Sequence, residues 1–140
     1  MKKTYDLIVV GGGFAGSMAA MEAARHGQNV LLVEKFNCLG GAAMSCLVMP
    51  FMNFWTHDPQ TGEQQFLTGD LFLEVVAELR KLGAMDDIRT FTEEPLKLVL
   101  NRMALKYGVE LLYEFMEHIY TFAKKIKPHA IINCSPCHPY

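Results

Sequence analysis

Gly11-x-Gly13-x-x-Gly16 follows directly on the apolar run Leu7-Ile8-Val9-Val10, and the Ala- and Met-rich stretch Ser17 to His26 comes straight after it. An apolar run of four, β-branched at three positions, reads as a buried parallel strand. The stretch after the glycines reads as a helix over 17–26, and Gly27 stands where a helix C′ glycine belongs. Asn29 to Val33 reads as a second buried strand, ending at the acid Glu34. Strand, glycine turn, helix and strand in so short a span leave little choice but a βαβ unit.

Each glycine of the turn has a mechanical role. Gly11 allows the tight turn, Gly13 lets backbone approach a pyrophosphate, and Gly16 lets helix and strand pack closely. The helix N-terminus then offers free N–H groups and the positive end of its dipole to phosphates. Glu34 lies where a carboxylate can accept the hydroxyls of an adenosine ribose. The same carboxylate repels a 2′-phosphate. The competing reading is a glycine turn that merely packs, with Glu34 as a solvated strand end.

The rest of the chain supports a packed α/β domain. Its 140 residues suit one domain, and 51% hydrophobic against 20% charged residues argues against disorder. A formal net charge of −2 leaves no basic footprint for nucleic acid. No apolar run reaches the roughly 18 residues of a membrane span, and Leu7–Val10 is too short for a signal sequence. The four cysteines are too few for a disulfide scaffold and are expected as reduced thiols in a cytoplasm.

Periodicity fails from Phe36 to Phe66, where His57-Asp58-Pro59-Gln60-Thr61-Gly62 signals a turn. Leu71, Phe72, Val75, Val76, Leu79 and Leu82 then share one helical face, closed by Gly83. A second helix opens at Thr92-Glu93-Glu94-Pro95 and closes at Gly108, with Leu96, Val99, Leu100, Met103 and Tyr107 in helical register. Val109–Tyr113 reads as a third strand and Ala130–Asn133 as a fourth. Lys124, Lys125 and Lys127 form a short basic run expected to be a solvated turn.

Three segments together resemble a family. Gly-Gly-Gly-Phe-Ala-Gly-Ser at 11–17, Val-Glu-Lys at 33–35 and Leu-Gly-Gly-Ala at 39–42 are similar to the start of FAD-dependent oxidoreductases of the glutathione-reductase-like flavoprotein superfamily. There an acid, a basic residue, four further residues and Gly-Gly recur as an FAD signature, here Glu34-Lys35 to Gly40-Gly41. The resemblance implies FAD, with its adenosine ribose on Glu34 and its pyrophosphate along Gly12 to Gly16. Phe14, Ala15, Lys35 and Gly40 fall inside the matched segments and are implied in cofactor binding, and Gly41 and Ala42 lie near the flavin side. Phe115 or Met116 is implied as the cover of the adenine.

The resemblance runs from residue 4 to about 113. It implies an α/β, Rossmann-like parallel sheet over 1–140, an incomplete FAD-binding domain with a divergent tail at 114–140. Pro136 stands where the family carries glycine, and the expected β-meander and substrate domain are missing. The implied function is the FAD-binding N-terminal portion of an oxidoreductase acting on a small organic substrate. Self-association or a partner chain would then supply the missing region. Two alternatives stay open: an NAD-binding module of a dehydrogenase, which the Gly40-Gly41 pair disfavours, and a non-catalytic fragment or subunit. No catalytic residue is assigned.

Smaller signals point to packing rather than chemistry. Cys134-Ser135-Pro136-Cys137-His138 has the spacing of a c-type haem attachment, and with His129 it could hold zinc. Two thiols in a loose tail is the simpler expectation, and no metal is assigned. Cys38 and Cys46 straddle the second glycine pair at a spacing unsuited to a dithiol relay, although Cys46 falls near the implied flavin. Phe51, Phe54, Trp55 and His57 form an aromatic cluster expected in the core or at a domain interface, with its outer faces left bare. His57 is the imidazole there with acid/base potential, and His26 is expected to meet the end of the first helix.

Overall fold

The computed structural model describes residues 4–86, 89–115 and 128–134. Strand β1 (Leu7–Val10) leads into helix α1 (Phe14–Arg25), and β2 (Val30–Val33) follows. A short helix α2 (Ala42–Ser45) comes next, then a hairpin of β3 (Trp55–His57) and β4 (Gln64–Phe66). Helices α3 (Asp70–Lys81) and α4 (Glu93–Lys106) precede β5 (Glu110–Leu112) and β6 (Ala130–Asn133).

Four strands make one parallel sheet in the order β5-β2-β1-β6. The chain starts in the middle, moves out through β2 to β5, then returns to the far side of β1 at β6. That reversal beside β1 makes the sheet Rossmann-like and puts a crevice at the carboxyl ends of β1 and β2, where such sheets bind ligands. β1 and β2 are buried along their whole length, as their unbroken apolar runs require.

The sheet sorts its side chains by the period of two. Leu7, Val9, Val30 and Leu32 join the helix-side core with Met21, Val75, Leu79, Leu96 and Leu100. Ile8, Val10, Leu31 and Val33 form the opposite face, covered among the described residues by Tyr5, Leu112 and Phe115.

The reading of α3 and α4 holds, with Leu71, Val75, Val76 and Leu79 buried on one and Leu96, Val99, Leu100 and Met103 on the other. Leu82 departs from it. It is the C-cap of α3 and is 47% exposed, because Gly83 at φ +63 turns the chain away one residue early. Lys124, Lys125 and Lys127 lie outside the described residues.

Three expectations need correction. Helix α1 starts at Phe14, not Ser17, with Gly13 as its N-cap. Glycine's poor helix propensity hid the first turn, and tertiary packing overrode it. The aperiodic stretch contains the β3–β4 hairpin, closed where Asp58 Oδ1 accepts from the N–H groups of Gln60 (2.7 Å) and Thr61 (3.0 Å). Within the aromatic cluster, Phe51 and Phe54 are not left with bare faces. Phe51 and Phe54 are 7% and 3% exposed, and Phe51 packs on Phe14, Phe72 and Phe91 at centroid separations of 5.2, 4.9 and 4.3 Å. Exposed apolar residues of the stretch include Phe36, Leu47, Val48, Met52 and Phe66.

Candidate functional site

The site begins with a hydrogen bond. Glu34 directly follows β2 and is only 5% exposed, and its Oε2 accepts from the Gly12 N–H at 2.5 Å while Oε1 accepts from the Phe36 N–H at 2.9 Å. A buried carboxylate needs such partners. The pairing also ties the first glycine turn to the end of β2. Glu34 is thus no solvated strand end. Each oxygen keeps a second lone pair for an outside donor.

Gly11 and Gly16 behave as the motif requires. Gly11 has φ +100, a conformation that side chains other than glycine's rarely take. A Cβ on Gly16 would fall 1.8 Å from the Gly11 carbonyl oxygen, so helix and turn touch backbone to backbone. The buried Ser17 hydroxyl adds a bond to the Gly12 carbonyl at 3.0 Å. That role was not read from the sequence, where the serine looked like an ordinary helix start.

The second glycine pair packs on the first. Gly40 N–H donates to the Gly12 carbonyl at 2.9 Å, and a Cβ on Gly41 would sit 2.8 Å from Gly13 Cα. Gly13 is different: a Cβ there would meet nothing nearer than Gly41 Cα at 3.8 Å. Its missing side chain leaves open space that the protein does not fill.

That space belongs to a pocket of about 300 Å³, within the range of ligand pockets although at its small end. Gly11, Gly13, Phe14, Ala15, Glu34, Lys35, Gly41 and Ala42 all line it. Gly12, Gly16 and Gly40 lie behind it, holding its shape. Phe36, Ser45, Cys46 and Cys134 also line it, and of these only Cys46 was anticipated. Cys134 was expected in a loose tail, but β6 carries it to the carboxyl end of β1, where its N–H donates to the Val10 carbonyl at 2.7 Å. Only the parallel pairing of β6 with β1 brings it there.

One wall of the pocket presents unpaired backbone donors. Helix α1 has no side-chain cap and no acid in its first turn. The N–H groups of Phe14, Ala15 and Gly16 have no acceptor among the described residues. A helix end with unpaired donors in a pocket is an anion site in waiting. Lys35 stands at the rim with its Nζ 4.7 Å from the centre of the Phe36 ring.

Other candidates fall elsewhere. Phe115 packs on the opposite sheet face, joined to β2 by its N–H to the Glu34 carbonyl at 3.4 Å, and does not line the pocket. Met116, Cys137 and His138 lie outside the described residues. His57 is exposed on the hairpin with its ring against Trp55, away from the pocket. His129 pairs with Asp6 Oδ1 at 3.4 Å. Among the described residues no group of three metal-ligating side chains forms, and Cys38, Cys46 and Cys134 are free thiols. Burial pushes the Cys38 thiol above its ordinary range, away from the lowered range of reactive thiols. His26 meets the end of α1, with Nε2 3.0 Å from Glu22 Oε1.

A family model described as FAD dependent oxidoreductase matches residues 6–125. The chain belongs to that family. FAD is accordingly its cofactor. Among curated relatives, vinyl phenol reductase of Lactiplantibacillus plantarum is 55% identical over 40 residues, 29% of this chain and 8% of the relative. Glutathione reductase of Debaryomyces hansenii is 29% identical over 119 residues, 81% of this chain and 24% of the relative. The chain therefore spans a quarter or less of the length of these relatives. Among solved structures, Thermovibrio ammonificans THI4 is similar over 79% of this chain and 39% of its own, at 16% identity and a TM-score of 0.47. Among the described residues no helix is long and apolar enough to cross a membrane.

Proposed function

We propose that the pocket between the two glycine turns holds the adenosine and pyrophosphate end of FAD. The observation that carries this reading is the uncapped N-terminus of α1, facing the same pocket as the buried Glu34 carboxylate. The free N–H groups of Phe14, Ala15 and Gly16 donate to the pyrophosphate, whose charge also meets the positive end of the helix dipole. Gly13 supplies the room for it, and Gly41 with Ala42 closes the other side. Glu34 accepts from the ribose hydroxyls with the lone pairs that Gly12 and Phe36 leave free. Lys35, held over Phe36, adds a positive charge at the rim. Gly12, Gly16 and Gly40 position these groups from behind.

FAD supplies the electron transfer, and the protein binds and orients it. In the whole protein we assign an oxidoreductase acting on a small organic substrate. Residues 1–140 contribute the FAD-binding domain, and a further region or partner chain encloses the flavin. The free thiols favour a reducing compartment such as the cytoplasm.

Titration with FAD and with FMN, which lacks the adenosine half, tests the assignment. FAD is expected to bind saturably and FMN to bind much more weakly. Equal affinity for the two removes the adenosine end from this pocket.

A further inference from the structure

A second groove lies between the β3–β4 hairpin and α3, with a volume of about 380 Å³ and no lining residue in common with the glycine-turn pocket. Its floor is Phe54 and Val76, 3% and 4% exposed. Trp55, Phe66 and Leu73 line it, and Phe66 is 55% exposed. Such a wall gives the apolar part of a ligand a surface to cover.

One charged group lines this groove, and it is Arg80. Its guanidinium has no partner among the described residues. The neighbouring carboxylate Glu78 is taken by Lys81 at 2.6 Å, and on the hairpin Asp58 is occupied by the turn and by the Gln65 amide at 3.1 Å. Arg25, Lys97 and Lys106, by contrast, each have a carboxylate within 2.8 Å. The side-chain amide of Gln64, also in the lining, is without a partner among the described residues.

We propose that this groove binds a small monocarboxylate carrying a ring or a bulky apolar body. The planar guanidinium of Arg80 matches a carboxylate with two parallel N–H donors. The Gln64 amide can donate to the same group. The body of the ligand lies on Trp55, Phe66 and Leu73. A cation finds no acid in the lining, and a bare inorganic anion leaves the apolar walls wet. A neutral hydrocarbon leaves Arg80 partly desolvated and unpaired, which costs free energy. Charge and apolar area together select the amphipathic acid.

Trp55 is the single tryptophan of the chain, so its fluorescence reports on this groove alone. The whole 140-residue chain is titrated with 3-phenylpropanoate, 3-phenylpropanol and acetate. The expected result is a saturable shift of Trp55 emission with phenylpropanoate, an affinity for the alcohol about tenfold weaker, and no response to acetate. Arg80→Gln, a surface change, should bring phenylpropanoate down to the affinity of the alcohol while circular dichroism and FAD binding stay as in the wild type. Calorimetry with the same ligands gives a second readout. Equal binding of acid and alcohol, no response to either, or an Arg80→Gln chain that binds the acid normally overturns the proposal. A Trp55 shift that follows protein concentration rather than ligand assigns the groove to a second copy of the chain and likewise overturns it.

Discussion

Glu34→Gln isolates the charge that holds the first glycine turn. The side chain keeps its shape, so packing around β2 is unchanged. One carboxylate oxygen becomes an NH₂ group, yet both oxygens now face backbone donors, Gly12 N–H at 2.5 Å and Phe36 N–H at 2.9 Å. Whichever way the amide turns, one donor meets a donor. A hydrogen bond to a charged group is worth about 1.5–3 kcal/mol, and at 5% exposure water does little to replace it. For a chain of 140 residues each kcal/mol moves the melting temperature by roughly 3–5 °C. A fall of about 5–15 °C in the unliganded protein is therefore expected, measured by circular dichroism at a fixed pH. The amide also disturbs the acceptors offered to the ribose, so FAD affinity should drop about tenfold or more. A variant that melts within a degree or two of the wild type refutes the claim that Glu34 ties the turn to β2. One that melts lower but binds FAD normally refutes only the ribose contact.

Gly16 and Gly13 should separate folding from binding. Gly16→Ala places a Cβ 1.8 Å from the Gly11 carbonyl oxygen, so a large loss of thermal stability or of soluble protein is expected by circular dichroism. Gly13→Ala meets no atom nearer than 3.8 Å and should melt like the wild type, while losing at least about tenfold in FAD affinity by titration. Tyr113, whose hydroxyl donates to Asn101 Oδ1 at 2.6 Å, is pushed up to about 12 by burial. Its folded value lies above the unfolded one, so its stabilisation is present below pH about 10 and is lost as pH rises toward 12. Ultraviolet titration should show Tyr113 among the late-ionising tyrosines, and Tyr113→Phe should reduce the late step by one tyrosine.

The sequence made the sheet legible because β1 and β2 are continuous apolar runs closed by glycine and by Glu34. It made the phosphate turn legible because each glycine there answers a backbone demand that only geometry sets. It could not show that Glu34 is buried under two backbone donors, since that needs the turn already folded against β2. Cys134 was invisible as a wall of the pocket because nothing local pairs β6 with β1. The hairpin was masked for a different reason. Trp55-Thr56-His57 and Gln64-Gln65-Phe66 are too short to show a period of two, and only the turn between them is marked. Phe51 and Phe54 fall in the core as their apolar character suggests, but a sequence cannot show that Phe72 and Phe91 are the rings that cover them.

Calorimetric titration of the whole chain with FAD, repeated in the presence of ADP, tests the central claim most directly. The account predicts one FAD per chain, with ADP competing because it carries the adenosine and pyrophosphate that Glu34 and the start of α1 would hold. Saturable flavin binding that ADP leaves untouched, or no saturable binding at all, would contradict it.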